Sequence, residues 1–178
     1  MLCATGARAS GSEDAVRALR HGGAVAAFRH TLAPGTFDPP GFKLGDCSSQ
    51  RNLSDEGRAQ ARQLGAWFSA SALRPSRLRS SPWCRCVDTA MLAFGAAAAW
   101  PALGSPASQD AVSRSADQEA LRAALQAASR RRGVFEVWVS HMFVINELAQ
   151  VSLAQGEGLV LRADAAGVPQ VLARIIAA

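Results

Sequence analysis

The sequence contains no tyrosine, and Lys43 is its only lysine. Its 178 residues include four cysteines, too few for the disulfide scaffold of a small secreted protein. Cys84-Arg85-Cys86 also lacks the C-x-x-C spacing of a zinc or thioredoxin-like site. Two interpretations of the cysteines remain. Either they are buried free thiols, or Cys47 forms a disulfide bond with Cys84 or Cys86, as an oxidising compartment allows.

A long hydrophobic run is also missing. No stretch approaches the roughly 18 consecutive apolar residues that a membrane span requires, so no membrane span is predicted. Ala7-Arg8-Ala9 has the form of a signal-peptidase site, but too few residues precede it for a signal peptide. We therefore expect residues 1–11 to be a signal-peptide remnant or disordered. The expected location is periplasmic or secreted if a signal peptide lies upstream, and cytoplasmic otherwise.

Arginine dominates the charge of the chain. The formal net charge is +5, and with one lysine among the 19 basic residues the other 18 are arginine. A basic excess favours an anionic partner, and the planar guanidinium matches phosphate oxygens two at a time. A surface bias from a GC-rich genome is the alternative explanation for most of these arginines. The chain has no nucleic-acid-binding motif and no aromatic stacking platform, so no nucleic-acid partner is predicted.

Strand-like and helix-like segments alternate along the chain. The apolar runs at 24–28 and 134–139 are continuous, which is typical of strands buried on both faces of a parallel sheet. Shorter strands are predicted at 77–80, 158–161 and 168–175. The length fits one domain of about 100–200 residues. We predict a single α/β domain over residues 1–178, a three-layer sandwich whose open, mostly parallel sheet has helices on both faces.

Local signals mark where three helices begin. Ser54 precedes two acidic residues and is predicted to cap a helix. Ser81 is predicted to cap the next helix, with a proline at its first position and Arg85 in its first turn. Ser115 and Gln118 form a capping-box pattern that predicts a further helix start.

Phosphate-compatible side chains follow the predicted strands. Arg29 and His30 end the first run, and His141 follows the run at 134–139. Ligands of parallel sheets bind beyond the carboxyl ends of the strands, and a helix start such as that at Arg85 adds N–H donors. Phosphoryl transfer needs positive donors around the phosphate and a nucleophile in line, which a neutral histidine provides. Taken singly, each residue is more often structural or on the surface, so placement alone does not establish phosphate binding.

Four motifs together resemble the histidine phosphatase superfamily, of the phosphoglycerate-mutase-like branch 1 type. Residues 28–31 resemble its R-H-G/T signature, and residues 50–61 resemble its segment ending in L-s-x-x-G-x-x-Q-A. Residues 80–90 match S-S-P-x-x-R-x-x-x-T-A, and residues 139–141 resemble V-[ST]-H. The order and spacing agree from about residue 22 to residue 162. R-H-x alone is a weak signal, whereas the four motifs together are specific.

The resemblance implies a metal-independent enzyme with a defined set of site residues. His30 would be phosphorylated, Arg29 and Arg85 would bind the phosphate, and His141 would complete the pocket. Thr31, which stands where many members have glycine, and Arg51 are further candidates for substrate binding; Arg51 is equally well explained as a helix-entry residue. No metal or other cofactor is implied, because arginines supply the positive charge that Mg²⁺ supplies in kinases.

One expected group is missing from the sequence. Many members have a glutamate in the loop after the third strand, but residues 95–108 contain no acidic residue. A general acid is needed to protonate a poor leaving group. Four aspartates are candidates for this role: Asp38, Asp46, Asp110 and Asp117.

The function predicted from the sequence is hydrolysis of a phosphomonoester, on a small molecule or a phosphoprotein, through a phosphohistidine on His30. The alternative is a catalytically weak or inactive phosphate-binding protein on the same fold. The missing acid favours this alternative, and the intact His30, Arg29 and Arg85 oppose it. A mutase is less favoured, because the cofactor-dependent mutases of the family resemble longer chains. The sequence leaves the substrate and the oligomeric state open.

Overall fold

The two continuous apolar runs become the central strands of a six-stranded sheet in the computed structural model, which describes residues 6–106 and 110–176. Within these residues, the strands β1 to β6 cover Ala24–Arg29, Arg77–Ser80, Ala98–Ala99, Phe135–Ser140, Glu157–Ala163 and Pro169–Ile176. The helices α1 to α5 cover Gly6–His21, Asp55–Ala70, Cys84–Phe94, Ala111–Ser129 and Met142–Ala149. Short 3-10 turns lie at Cys47–Ser49 and Pro101–Leu103.

The strand order in the sheet is β3-β2-β4-β1-β5-β6. The first four strands in this order are parallel, and β5 and β6 are antiparallel to their neighbours. All residues of β4 and all but the last of β1 are buried, as expected for strands covered on both faces. The prediction of an open, mostly parallel sheet is confirmed, with a mixed edge formed by β5 and β6.

Helices cover both faces, which confirms the predicted three layers. Alternate residues of a strand point to opposite faces, and β1 supplies both cores. Ala26 and Phe28 pack with α1, α2 and α3 on one face. Val25 and Ala27 pack with α4 and α5 on the other. No helix within the described residues has the length and apolar character needed to cross a membrane.

Two predicted helix starts are wrong. α3 begins at Cys84 rather than directly after Ser81, and its cap residue is Trp83. The Ser81 hydroxyl accepts from the amide of Trp83 at 3.3 Å and is also bonded to a histidine, but it makes no bond to an amide within α3. α4 begins at Ala111, four residues before the predicted cap at Ser115, because Asp110 accepts a hydrogen bond from the amide of Ser113. Ser54 caps α2 as predicted, accepting from the amide of Gly57.

The predicted segment 1–11 lies partly within the described residues. Residues 6–11 lie in α1, and residues 1–5 lie outside the described residues. Between β1 and α2, residues 30–54 have no regular structure apart from one 3-10 turn. This long loop folds back over the carboxyl edge of the sheet and forms one wall of the site.

Candidate active site

The two central strands bring the two predicted histidines together. His30 directly follows β1 and His141 directly follows β4, its parallel neighbour. The amide of His30 donates to the carbonyl of Ser140 at 2.9 Å, which extends the ladder by one residue. The ring centroids of His30 and His141 are 5.6 Å apart, and the residues are only 2% and 4% exposed. Both histidines therefore lie at one edge of the sheet, where the ends of the two strands meet.

Three arginines line the same cavity as the histidines. Arg29 ends β1, Arg51 lies in the loop before α2, and Arg85 lies in the first turn of α3, as predicted. The cavity has a volume of about 420 Å³. The Nε atom of each of the three arginines is buried without a hydrogen-bond partner among the residues that the structure describes. An anion in this cavity would therefore lie among three guanidinium groups, which are strong donors to anionic oxygens.

Other bonds fix these arginines in place. Arg29 donates from Nη1 to the carbonyl of Leu153 at 2.9 Å, and Arg51 donates from Nη1 to the carbonyls of Ala33 and Gly35. Burial, followed by the charge of Arg85, lowers the pKa of both Arg29 and Arg51. Mutual repulsion of this kind is relieved when a negative charge binds between the arginines.

His30 is held in one tautomer. Its Nδ1 lies 2.8 Å from the carbonyl oxygen of Thr31, and because a carbonyl only accepts, Nδ1 carries the proton and Nε2 has the free lone pair. Burial lowers the pKa of His30 to about 3; the bond to Thr31 opposes this shift, and the charges of Arg85, Arg51 and Arg29 add to it. His30 is therefore neutral and has an unprotonated Nε2 across the physiological pH range.

His141 is oriented from both sides of its ring. Its Nε2 lies 2.8 Å from the hydroxyl of Ser81, and its Nδ1 lies 3.4 Å from Nη2 of Arg85. Since a guanidinium only donates, Nδ1 accepts and Nε2 donates to Ser81. Burial, then the charge of Arg85, lowers the pKa of His141 well below its usual range. Trp83 packs edge-on against the ring, with the centroids 5.3 Å apart.

Asp38 lies in the cavity, but it is bound as a carboxylate. Its oxygens accept from Nη1 of Arg85 at 2.8 Å, from the amide of Arg51 at 3.0 Å and from Nε1 of Trp83 at 3.1 Å. Burial alone raises the pKa of Asp38, but the bonds from Arg51, Arg85 and Trp83 outweigh it and hold the pKa below its usual range. A carboxylate with three donors has no proton to give, so the geometry opposes Asp38 as the general acid.

The other three candidate acids do not line the cavity. Asp46 caps the 3-10 turn at Cys47–Ser49 and accepts from the amide of Ser48. Asp110 caps α4 and is fully exposed, and Asp117 lies within α4. Among the described residues lining the cavity, Asp38 is the one carboxylate. The general acid expected from the resemblance therefore has no counterpart among the described residues that line the cavity.

Thr31 does not line the cavity, contrary to its prediction as a substrate-binding residue. Its side chain is fully buried, and its hydroxyl lies 3.0 Å from the hydroxyl of Thr89. The Thr89 hydroxyl in turn donates to the carbonyl of Arg85 at 2.7 Å. Thr31 thus joins β1 to α3 and supplies the carbonyl that orients His30, so its contribution to the site is structural.

The motif at the start of α2 holds the loop that follows His30. A Cβ on Gly57 would lie 2.0 Å from the carbonyl oxygen of Leu32, so only glycine fits there. The amide of Ser54 donates to that same carbonyl at 3.1 Å, and the side chain of Gln60 accepts from the amide of Leu32 at 3.1 Å. These contacts fix the backbone of the residues immediately after the histidine.

A disulfide bond crosslinks the same loop to α3. Cys47 is bonded to Cys84 across 37 residues. Of the alternatives that the sequence left open for the cysteines, the structure therefore has the disulfide bond from Cys47, with Cys84 as its partner. Cys84 directly precedes Arg85, and its amide donates to the side chain of Gln50 at 3.0 Å. Cys86 is a buried free thiol, and burial raises its pKa to about 12, which keeps it protonated and unreactive.

Comparison with known protein families agrees with this geometry. The model of the histidine phosphatase superfamily (branch 1) matches residues 45–103, which include Arg51, the start of α2 and Arg85. The resemblance to the histidine phosphatase superfamily is confirmed. This match supports phosphatase activity in general. No curated protein is significantly similar to the chain in sequence.

Solved structures with the histidine phosphatase fold match most of the chain. The protein histidine phosphatase SixA, complexed with tungstate, is 17% identical, with a TM-score of 0.62; the match covers 85% of this chain and 96% of SixA. The Rv3214 protein of Mycobacterium tuberculosis is 18% identical, with a TM-score of 0.60 and coverage of 83% and 94%. Phosphoglycerate mutase of Thermus thermophilus is 20% identical, with a TM-score of 0.55 and coverage of 86% and 98%. Similarity at this level establishes the phosphoglycerate-mutase-like fold.

Several residues of the site were not found from the sequence. Ser81 and Trp83 contact His141. Both lie in the motif at residues 80–90, but the motif alone does not indicate their contact with the histidine. The ion pair between Asp38 and Arg85 joins residues 47 positions apart, and no local pattern indicates it. Phe143, which also lines the cavity, lies two residues after His141, the last residue of the V-[ST]-H motif.

Proposed function

We propose that this protein is a phosphatase that hydrolyses a phosphomonoester through a phosphohistidine on His30. The observation that carries the proposal is the free Nε2 lone pair of a neutral, buried His30 in a cavity lined by three arginines. A nucleophile surrounded by fixed positive donors is the arrangement that phosphoryl transfer requires.

In the first step, Nε2 of His30 attacks phosphorus and forms the P–N bond while the bond from phosphorus to the leaving oxygen breaks. The electron pair of the broken bond stays on the leaving oxygen. In the second step, water attacks the phosphohistidine, the P–N bond breaks and its electron pair returns to Nε2. The water proton is released to solvent or to the departing phosphate, and the enzyme regains its starting state.

The remaining side chains would stabilise charge during both steps. Arg29, Arg51 and Arg85 donate to the phosphate oxygens, and such arginines are worth roughly 10³–10⁵-fold in rate in other phosphoryl-transfer enzymes. His141 accepts from Nη2 of Arg85 through Nδ1 and so holds that guanidinium in position for the phosphate. The N-terminal amides of α5, which begins directly after His141, add positive potential. We propose that this set of donors makes the reaction independent of metal ions, so that activity persists in excess EDTA.

The ligand bound in a structurally similar protein supports an oxyanion site. SixA is described as a protein histidine phosphatase and was solved with tungstate, an oxyanion with the shape of phosphate. The proposed substrate of the present protein is a phosphorylated small molecule or a phosphoprotein.

A second candidate function is the binding of a phosphorylated ligand with little or no catalysis. It is favoured by one observation: the only carboxylate among the described residues of the cavity is already bonded to three donors. Without a proton donor, turnover of esters with poor leaving groups is expected to be slow.

Hydrolysis of p-nitrophenyl phosphate distinguishes the two functions, because p-nitrophenolate leaves without needing a proton. We expect release of p-nitrophenol by the wild-type protein and a loss of about 10⁴-fold or more in His30→Ala, as for other catalytic nucleophiles. His21→Ala, a change of an exposed histidine at the end of α1, is the matched control and should retain activity. A folded wild-type protein with no activity above that of His30→Ala supports the binding function instead.

A further inference from the structure

The two exposed phenylalanines of the protein lie at the same cavity. Of the seven phenylalanines in the chain, Phe37 is 73% exposed and Phe143 is 55% exposed, whereas the other five are buried or half-buried. Both exposed rings line the cavity that contains His30. Phe37 belongs to the loop after β1, and Phe143 lies in the first turn of α5. Large exposed apolar side chains that converge on a cleft mark a binding surface.

The lining of the cavity combines charged and apolar side chains. The two histidines and three arginines described above form its charged part. Its apolar part includes Phe37, Pro39, Pro40, Phe42, Met142 and Phe143. The carboxylate of Asp38 is committed to its three donors. Apart from the three arginines and two histidines, the described lining therefore has no free charged side chain with which to bind a polar or ionic leaving group.

The absence of a proton donor in the described lining restricts the leaving group further. An alkoxide is a poor leaving group unless an acid protonates it, whereas a phenolate leaves readily because its charge is delocalised over the ring. An aromatic ring bonded directly to the ester oxygen thus satisfies two requirements. It leaves without an acid, and it packs against aromatic side chains in stacked or edge-on geometry.

We propose that the protein acts on aryl phosphates, and that Phe37 and Phe143 bind the aromatic ring of the leaving group. The proposal rests on the phosphatase function proposed above and specifies its substrate class. When Nε2 of His30 attacks phosphorus, the bond between phosphorus and the phenolic oxygen breaks, and the phenolate departs with the electron pair. The phenolate takes up a proton from solvent after it leaves the cavity.

Binding of phosphonates tests ring recognition without any turnover. The P–C bond of phenylphosphonate and methylphosphonate resists hydrolysis, so calorimetry measures binding alone. We expect the wild-type protein to bind phenylphosphonate about tenfold or more tightly than methylphosphonate, given two aromatic contacts. In the double variant Phe37→Ala, Phe143→Ala this ratio should fall towards one. Both rings are largely exposed, so folding is expected to survive, and the melting temperature checks it.

Leu44→Ala is the matched control. Leu44 is 51% exposed and lies in the same loop as Phe37, but it does not line the cavity. The preference for phenylphosphonate should be unchanged in this variant. An equal affinity of the wild-type protein for both phosphonates, or an equal loss of preference in Leu44→Ala, overturns the proposal.

Kinetics with three esters then test the leaving group and its source. The value of kcat/KM should be about 10²-fold higher for phenyl phosphate than for benzyl phosphate, which has the same ring on an alkyl oxygen. A factor of this size is the rate contribution that a general acid makes in other enzymes. A phosphotyrosine peptide that is hydrolysed faster than phenyl phosphate identifies a protein substrate, and the reverse order identifies a small molecule. Benzyl phosphate hydrolysed as well as phenyl phosphate overturns the aryl assignment.

These outcomes separate the inference from the phosphatase function on which it rests. A lost phenylphosphonate preference with His30-dependent hydrolysis of p-nitrophenyl phosphate intact overturns only the aryl assignment. A retained preference with no His30-dependent hydrolysis overturns the phosphatase function and leaves an aryl phosphate as the bound ligand.

Discussion

The two ends of strand β4 each carry a cluster of three arginines, but the clusters are built differently. At the amino end, the buried carboxylate of Glu136 is paired with Arg77, Arg79 and Arg131 at 3.7, 3.8 and 3.3 Å. It also accepts from Nε1 of Trp138. At the carboxyl end, Arg29, Arg51 and Arg85 surround the two histidines, and among the described residues only Arg85 of the three pairs with an acid.

The difference lies in which partner the protein supplies. At the Glu136 end, the carboxylate lies at the centre and three partly exposed arginines surround it. The protein itself therefore supplies the anion that balances their charge. At the His30 end, the arginines converge on a cavity, and their Nε donors have no partner among the described residues. The same residue types therefore pair with an internal carboxylate at one end of the strand and line the cavity of the proposed phosphate site at the other.

The largest contrast is expected between Arg85→Ala and Arg77→Ala. Arg85 is buried and faces the cavity, so its loss should lower kcat/KM for p-nitrophenyl phosphate by roughly 10³-fold or more. Arg77 contacts Glu136 at the other end of the sheet, and its removal should leave kcat/KM within a factor of about two. Steady-state kinetics on both variants measures this contrast. Equal losses in the two variants would mean that the ends of β4 are not functionally distinct.

The disulfide bond gives the His30 end a covalent crosslink. Closing a loop of 37 residues is expected to stabilise the fold by about 3–4 kcal/mol. The closed loop contains Arg51, and Cys84 directly precedes Arg85, which is paired with Asp38. The double variant Cys47→Ser, Cys84→Ser should therefore lose both stability and affinity for phosphate, as measured by denaturant unfolding and calorimetry. Cys86→Ser, at the free thiol, controls for the change of side chain. Unaltered stability of the double variant would refute the crosslink.

Glu136→Gln is expected to affect stability without affecting activity. The amide keeps the size of the side chain but removes the charge that three arginines share, and the buried site should lose about 2 kcal/mol in the free energy of unfolding. Urea unfolding measures the loss, and kcat/KM at a temperature below the transition should match that of wild type. A fall in kcat/KM of the folded variant would indicate that the two clusters are coupled.

The neutral His30 makes stability depend on pH. In the unfolded chain a histidine binds a proton near pH 6.5, but folded His30 does not do so until about pH 3. Because the unfolded state binds more protons between these values, stability contributed by His30 is present above pH 6.5 and is lost as the pH falls towards 3. The slope per proton is about 1.4 kcal/mol per pH unit.

Thermal unfolding between pH 6.5 and pH 4 measures this slope. His30→Asn should have a shallower pH dependence than wild type, and His21→Asn, at an exposed position, controls for the loss of an imidazole. Parallel pH profiles for wild type and His30→Asn would show that His30 is not neutral in the folded state.

Much of the fold and the centre of the site followed from the sequence, for physical reasons. Runs such as residues 24–28 are apolar at every position because both faces of the strand are covered. Parallel neighbours end at the same edge, so placing His30 and His141 after two such strands was sufficient to bring them together. The motif residues Ser54 and Gly57 have local roles, a cap and a close approach to Leu32, that short patterns express.

What could not be predicted depends on partners that are distant in sequence. The carboxylate of Asp38 is a candidate acid as a residue type, and only its contact with Arg85 and Trp83 identifies it as a bound anion. Ser81 fits a helix cap by every local rule, but its hydroxyl is shared between the amide of Trp83, which precedes α3, and the distant His141. Asp110 is a candidate acid by residue type alone, and its position as the cap of α4 becomes visible only with the true helix start.

Trapping the phosphorylated enzyme tests the role of His30 most directly. Rapid quenching of the reaction with p-nitrophenyl phosphate at alkaline pH, followed by peptide mass spectrometry, locates the transferred phosphate. The predicted result is an acid-labile, alkali-stable phosphate on the peptide containing His30, absent in His30→Ala. Phosphate on another residue, or a first turnover that releases p-nitrophenol while no phosphate is bound to the protein, would contradict the assignment of His30 as the nucleophile.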